Sequence, residues 1–329
     1  MVTNYKKTSS IVLDYGKAAT RKLIRNISAA AATDRYLWTA SDEGRSVECL
    51  ERHKNGFRLR EQIQLDRVFT RLPGRGRGDE ADLEAIAISD GKLWICGSHC
   101  RVRRNRKDLA KVDPRFRSRD SRCLLGFAPL AKSGGALSGL GVALPFRGAV
   151  SLRKVLGADP YIAPFINLPS KENGLDIEGL CVSGKRLFLG LRGPVVDSVA
   201  LAIELRVATS SVVRRGKPTT HFLHLGGLGI RDLALVGEDI IVLAGPVNAA
   251  NSPFRLLRWR PRRGKRVQHP NLLCEWAERG EHPEGICVLN HRGRKGLLVL
   301  YDTPAEARVK KARYRADWIS LAKLERRAD

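Results

Sequence analysis

The sequence predicts an all-β protein folded as a single β-propeller, with five blades and room for a sixth. Two observations lead to this prediction. A unit of two apolar strands joined by a tight Gly or Asp turn recurs along the chain, and most units are spaced about 54 residues apart. The strands are rich in β-branched residues and lack a 3.6-residue period, which disfavours a helical repeat. Repeats of this length built from short strands are typical of propeller blades.

Composition limits the class of protein before any motif is considered. The chain has 329 residues, of which 43% are hydrophobic and 28% are charged, as expected for a folded protein. It contains no apolar run of about 18 residues, so we expect no membrane-spanning helix and no membrane partner. The first residues, 1–7, lack an apolar signal core, which predicts a cytoplasmic location. We treat residues 1–329 as one domain.

The predicted strand pairs define the blades, in order along the chain. Each unit has a first strand followed by a second, and the five pairs are 27–33 with 36–40, 82–88 with 92–96, 176–182 with 186–190, 229–235 with 239–243, and 282–288 with 296–300. The first blade continues with predicted strands at 46–51 and 57–65, and Asn55-Gly56 between them is a strong hairpin signal. The fifth unit lacks one strand. Residues 10–14 can supply it, which would close the ring and protect its edges.

The interval 101–170 interrupts the spacing and differs in composition. It begins with a basic stretch, 101–122, which holds ten Lys or Arg residues and three Asp residues. A strand is predicted at 124–130 and a short helix at 151–157. We interpret the interval as insertions on the second blade.

Alignment of the units brings charged residues to equivalent positions. One position near the start of the first strands holds Ser28, Glu84, Glu178, Arg231 and Glu284. The position at the ends of the second strands holds Asp42, Ser98, Arg192, Gly245 and Asp302, and Glu43 and His99 follow the first two of these. In a propeller blade the first strand starts, and the second ends, at the same face. Both sets are therefore expected to meet near the axis of the ring.

Several carboxylates close to one axis repel each other, so they require a cation, arginine partners or raised pKa values. Oxygen ligands favour Ca²⁺ or Mg²⁺. The candidate metal ligands are Glu84, Glu178, Glu284, Asp302 and Asp42. The candidate residues for binding an anionic ligand are Arg192, Arg231, Lys171, Asn173, Asp176 and Ser98. His99 and Glu43 are the candidate catalytic residues for proton transfer. The alternative is a structural network of Arg–Glu ion pairs that ties the first strands together.

Several motifs together resemble a known family. They are SDE (41–43), GSH (97–99), KENGLDIEG (171–179), GLRGP (190–194), GGLGIRD (226–232) and AGP (244–246). On these motifs the chain resembles the bacterial family called domain of unknown function 3616, from about residue 30 to residue 302. The resemblance implies no activity. The Glu-Gly pair of the first strands also resembles calcium-centred propellers of the phytase-like and gluconolactonase-like groups, over a shorter segment.

The net charge of +25 indicates an anionic partner or substrate. The basic segments 101–122 and 308–315 follow second strands, so we expect them at the same face as the charged axis. The basic segment 258–266 is expected to be solvated surface. The leading hypothesis is a propeller that binds a divalent cation and a small phosphorylated ligand, and its extension is hydrolysis of that ligand. One alternative is a non-catalytic basic scaffold that binds nucleic acid or an acidic protein through 101–122 and 308–315, and another is lactone or ester hydrolysis.

Overall fold

The computed structural model describes residues 4–74, 79–104, 115–208, 212, 216–248, 253–264, 266–276, 281–302 and 304–325. The fold is all-β and propeller-like: within these residues most strands fall into antiparallel groups of four, and the helices are a single turn or little more. A separate two-stranded hairpin and two short parallel pairings are exceptions among the described strands. None of the described helices has the length and apolar character needed to cross a bilayer.

The elements follow one another along the chain as four-stranded groups. The first part comprises β1 (Ser9–Asp14), α1 (Arg21–Arg25), β2 (Ile27–Ala32), β3 (Tyr36–Ser41), β4 (Ser46–His53), β5 (Gly56–Gln64) and α2 (Leu65–Val68). The second group comprises β6 (Leu83–Ser89), β7 (Lys92–Gly97), the small hairpin β8 (Val102–Arg103) and β9 (Phe116–Arg117), β10 (Leu125–Pro129) and β11 (Val142–Ala143), and it is followed by α3 (Leu152–Leu156).

The remaining three groups have the same order. The third comprises β12 (Asp176–Ser183), β13 (Arg186–Val196), β14 (Val199–Arg206) and β15 (Thr219–His224). The fourth comprises β16 (Gly229–Val236), β17 (Asp239–Gly245), β18 (Arg255–Trp259) and β20 (Asn271–Glu275), while the short strand β19 (Val267–Gln268) pairs in parallel with β15 of the third group. The last comprises β21 (His282–His291), β22 (Arg294–Asp302), β23 (Val309–Lys310), β24 (Arg313–Ser320) and α4 (Leu321–Glu325).

The N-terminal strand lies between the first and last groups. β1 pairs antiparallel with β24 from Ser9 opposite Trp318 to Asp14 opposite Arg313, so it is the outer strand of the last group. It also pairs in parallel with β5, through Leu13 and Asp14 opposite Phe57 and Arg58. Ile11 and Leu13 of this strand are fully buried.

The first strands of the groups surround a common axis. β2, β6, β12, β16 and β21 each contact the next, and β21 returns to β2. They line a channel of about 170 Å³ with apolar residues, three in a row from each strand: 30–32, 86–88, 180–182, 233–235 and 286–288. Five apolar clusters fill the spaces between neighbouring groups. For example, Trp38 of the first group packs with Ile95 of the second.

The interval 101–170 is only partly an insertion. β10 pairs with β7, and β11 pairs with β10, so both belong to the second group itself. The short helix is α3, whose N-cap Ser151 accepts a hydrogen bond from the backbone of Lys154. Of the basic stretch, residues 105–114 lie outside the described residues.

Candidate functional site

A β-bulge marks the start of the first strand in each group. The pairing between first and second strands skips one residue at this point. The skipped residues are those that the repeat alignment brought to one position: Ser28, Glu84, Glu178, Arg231 and Glu284. A bulge places an extra residue in one strand and re-aims its side chain. The five bulges therefore explain why these side chains converge.

Three of the predicted metal ligands meet at the axis. Oxygen atoms of Glu84, Glu178 and Glu284 all lie within 4.8 Å of one another. Glu178 and Glu284 are buried, whereas Glu84 retains some accessible surface. Each carboxylate comes from a different strand group, so the cluster exists only in the assembled ring.

Arginine side chains neutralise two of the three carboxylates. The Nε atom of Arg231 lies 2.9 Å from Oε2 of Glu178, and its Nη2 donates to Oε1 of Glu284 at 2.5 Å. Nη1 of Arg192 donates to Oε1 of Glu178 at 2.8 Å. Arg192 also donates through Nε to the carbonyl of Val247 at 3.1 Å. Glu178 is thus paired with two guanidinium groups and Glu284 with one.

Glu84 differs from its two neighbours. In the described part of the chain no hydrogen bond or ion pair reaches its carboxylate. The charged groups that act most on it are all acidic: Asp82, Glu178, Glu284 and Asp42. Desolvation and these carboxylates raise the pKa of Glu84 well above its usual range. Desolvation also raises the pKa of Glu284, even though Arg231 acts in the opposite direction.

A second group of acids lies beside the first. Asp42 and Asp302 were predicted as metal ligands, but the cluster of three described above does not include them. Both act on Glu284 through their charge. Oδ1 of Asp42 is buried without a hydrogen-bond partner among the described atoms. Desolvation, and then the charges of Asp82 and Asp302, raise the pKa of Asp42 to about 8.

Two of the predicted anion-binding residues, Asp176 and Lys171, lie at or just before the start of β12 and carry opposite charges. Asp176 is buried at the start of β12, and Oδ1 of its carboxyl group has no hydrogen-bond partner within the described structure. Desolvation, followed by the charge of Glu178, raises its pKa to about 6. Lys171 lies on the turn before β12 and is exposed. Desolvation and the neighbouring guanidinium groups of Arg192 and Arg231 lower the pKa of Lys171.

Two other predicted anion-binding residues have structural contacts. The side chain of Asn173 donates to the carbonyl of Val195 at 2.9 Å and accepts from its backbone N–H at 2.8 Å. Ser98 is fully buried and donates to the carboxylate of Asp82, while its hydroxyl accepts from the backbone of Cys100 at 3.2 Å.

The two predicted catalytic residues differ in their exposure to solvent. His99 is buried, its Nε2 donates to the carbonyl of Leu124 at 3.2 Å, and its Nδ1 has no described partner. Desolvation and Arg153 lower its pKa to about 3, so the ring is neutral. Glu43 is exposed and lies 3.8 Å from Lys22.

Sequence reasoning missed three residues of the site, which are Asp82, Arg122 and Asp232. Arg122 lies 2.7 Å from Asp82 and comes from the basic stretch, where no pattern distinguishes it from other arginines. Asp232 is buried and accepts from the backbone of Leu233 and of Ile286, both at 2.7 Å, which ties β16 to β21. An acid inside the apolar first strand was a signal that could have revealed Asp232.

Comparisons with known proteins give a family and weak structural likenesses. The chain is similar to the glutaminyl cyclase of Myxococcus xanthus at 9% identity and a TM-score of 0.45, covering 96% of this chain and 97% of the other. It is also similar to an α-L-arabinofuranosidase of Clostridium thermocellum at 9% identity and a TM-score of 0.46, covering 87% and 85%. These scores are too low to bear on the activity of this chain. No curated protein matches the sequence. The matching family, described as "Protein of unknown function (DUF3616)", spans residues 26–317, and the chain belongs to that family.

Proposed function

We propose that the ring is a five-bladed propeller whose axis binds a divalent cation, Ca²⁺ or Mg²⁺, together with a small anionic ligand. The observation that carries this proposal is the position of Glu84. Its carboxylate lies within 4.8 Å of two others, and acids dominate its surroundings. Such an arrangement is costly unless a proton or a cation compensates it.

The chemistry of the cluster suits a hard cation. All three groups are carboxylates, which are the ligands that Ca²⁺ and Mg²⁺ prefer. Glu84 is the central ligand in this proposal because no described arginine competes for it. Glu178 and Glu284 would contribute oxygen atoms while remaining paired with arginine. Water or the bound anion would complete the coordination, since Ca²⁺ takes about six to eight oxygen ligands.

The anionic ligand would bind beside the cation. Lys171 acts through its charge on Arg192 and Arg231, so three cationic side chains converge on one edge of the cluster. Within the described residues no carboxylate lies within 4.0 Å of the Lys171 ammonium group. We therefore assign this group to the ligand. A phosphoryl group fits best, because guanidinium groups bind its oxygen atoms in pairs.

Hydrolysis of that ligand is an extension of the same proposal. A bound divalent cation polarises a phosphoryl or ester oxygen and lowers the pKa of a coordinated water. We assign proton transfer to Glu43 in preference to His99, because Glu43 is exposed and acts on Asp42 through its charge. The ring of His99 is engaged with Leu124 instead. Phosphoesters would be the first substrates to test and lactones the second.

The test begins with elemental analysis of the purified protein. Chelator-treated protein is then titrated with Ca²⁺ and Mg²⁺ while its melting temperature is followed. Binding to the native state at 100 times Kd stabilises it by about 2.7 kcal/mol. We expect a rise in melting temperature that Glu84→Gln abolishes and that the exposed control Glu61→Gln retains. The absence of both bound metal and any shift would leave the acids and arginines as a structural ion-pair network.

A basic scaffold is the second candidate function. A cavity of about 590 Å³ near the outer edge of the last group is lined by Lys310, Lys311, Arg313 and Arg315. The register of β22 with β24 puts this segment at the same face as the axial acids. A nucleic acid bound there would show a steep dependence of log K on log salt concentration. Its binding would persist in Glu84→Gln, which separates the two functions.

A further inference from the structure

A second cavity, of about 860 Å³, lies where the fourth group meets the third and is dominated by arginine. Asp239 is the one acid among the described lining residues. The wall includes five arginines, which are Arg258, Arg260, Arg262, Arg263 and Arg266. The sequence suggested solvated surface for this segment. The structure instead shows a concave site of a size that is usual for small-molecule binding.

This cavity lies at the opposite face of the ring from the axial acids. β17 ends at Gly245, which pairs with Gly229 at the acid end of β16. β18 runs back, from Arg255 opposite Ala244 to Trp259 opposite Ile240. The segment that follows Trp259 therefore emerges at the far end of the group.

The loop that carries the arginines is held in place by hydrogen bonds. Nε1 of Trp259 donates to Oε1 of Gln268 at 2.9 Å, and the same oxygen accepts from the backbone of Arg262 at 3.0 Å. Nε2 of Gln268 donates back to the carbonyl of Arg262 at 3.0 Å. That carbonyl also lies 3.2 Å from Nδ1 of the buried His221. Such bracing reduces the entropy that would be lost when a ligand orders the loop.

The arginines of the cavity are only partly neutralised. Arg260 pairs with Asp239 at 2.7 Å, and Arg263 pairs with Glu204 at 3.0 Å. Arg258 pairs with Glu325 at 2.7 Å. Arg262 and Arg266 are exposed, and no carboxylate among the described residues lies within ion-pair distance of either. The cavity therefore keeps an excess of positive charge on a fixed loop.

We propose that this cavity binds an oligophosphate chain, as carried by a nucleoside triphosphate or by inorganic tripolyphosphate. Guanidinium groups bind phosphate oxygen atoms bidentately, and several phosphates in a row match several arginines on one wall. A single-stranded nucleic acid is less suited, because it requires exposed aromatic rings on which bases stack. Trp259 is only 1% exposed and offers no such surface.

The test is calorimetric titration of the full chain, with chelator present, using tripolyphosphate, ATP and orthophosphate as probes. We expect the two oligophosphates to bind and orthophosphate to bind more weakly. The double variant Arg262→Gln/Arg266→Gln should weaken tripolyphosphate binding by about tenfold or more, since hydrogen bonds to charged groups are lost. The matched control is Arg294→Gln/Lys295→Gln, which removes the same charge from another exposed turn; it should change binding by less than about twofold.

Binding measurements on further variants distinguish this site from the axial site. Glu84→Gln should bind tripolyphosphate as the native protein does, and Arg262→Lys/Arg266→Lys should give intermediate affinity because charge remains but bidentate geometry is lost. The proposal is overturned if the native chain binds none of the probes at millimolar concentration. It is also overturned if the control loses as much affinity as the Arg262 and Arg266 variant. Much tighter binding of a single-stranded oligonucleotide through the same arginines would overturn it in favour of a nucleic acid.

Discussion

The carboxylates of Glu84 and Glu178 lie within 4.8 Å of each other, but among the described residues only Glu178 of this pair is paired with arginine. This asymmetry determines the behaviour of the axis. Two guanidinium groups, those of Arg192 and Arg231, lie against the Glu178 carboxylate and compensate its charge. Glu84 beside it is stable only when a proton or a cation compensates its charge. Protons and divalent cations should therefore compete at this carboxyl group.

The first prediction concerns the pH dependence of stability without divalent cations. The pKa values of Asp42, at about 8, and Asp176, at about 6, are raised above that of an unfolded Asp, and the pKa of Glu84 is raised too. At pH values between the ordinary pKa of an unfolded Asp and these raised pKa values, the acids bind more protons in the folded state than in the unfolded state. His99, whose pKa is lowered to about 3, acts in the opposite direction up to the ordinary pKa of His. The free energy of unfolding should therefore fall as pH rises from about 6.5 to 8. Melting temperatures in chelator should show this decline.

Two comparisons make this prediction specific. Saturating Ca²⁺ should flatten the decline, because the bound cation replaces the protons. Glu84→Gln should make the decline shallower, because it removes one of the coupled acids. A melting temperature that is constant or rises between about pH 6.5 and pH 8 in chelator would contradict the raised pKa values.

The second prediction concerns Arg231, which joins two carboxylates of the axis. Arg231→Met leaves Glu178 and Glu284 without their shared partner, and breaking a buried ion pair costs about 3–5 kcal/mol. Urea denaturation should show this loss in the free energy of unfolding. Adding Glu284→Gln to this variant should recover part of the loss. Arg313→Gln, which removes an exposed partner of Asp14, should leave the urea midpoint unchanged.

The sequence was sufficient to predict the repeat and to identify the residues that converge on the axis. Glu84, Glu178, Arg231 and Glu284 occupy one alignment position, and periodicity alone places them together. The bulges were not predictable, because a skipped ladder position leaves no mark in the order of residue types. Pairing preferences were also hidden: nothing in the sequence shows that Arg122 from the basic stretch contacts Asp82. Such contacts depend on how loops fold over the face, which has no repeat to constrain it.

The third prediction concerns Glu48, a fully buried acid in β4 that belongs to no ion pair among the described residues. Ser46 donates to its Oε1 at 2.6 Å, and its Oε2 has no described partner. Desolvation raises the pKa of Glu48 in the folded state. Above the ordinary pKa of Glu, the unfolded chain gives up this proton more readily than the folded chain, so the free energy of unfolding falls as pH rises. Glu48→Gln should therefore raise the melting temperature at pH 8, with the gain disappearing at pH 4.5. The control Glu61→Gln, at an exposed position, should show no such difference between the two pH values. If Glu48→Gln instead destabilises the protein more at pH 8 than at pH 4.5, Glu48 is ionised in the folded state.

The fourth prediction concerns the contact between Gly56 and the N-terminal strand. A Cβ atom at Gly56 would lie 2.2 Å from the carbonyl oxygen of Val12, so a side chain there cannot coexist with β1 in its present position. Gly56→Ala should destabilise the protein by about 1–3 kcal/mol, as overpacking typically does. It should also increase hydrogen exchange of residues 9–14 selectively, because those amides form the ladder with β24. Gly44→Ala is the matched control, since its Cβ would meet no atom closer than 3.9 Å. Unchanged exchange in β1 of Gly56→Ala would mean that this strand accommodates the methyl group by a shift that the rest of the ring tolerates.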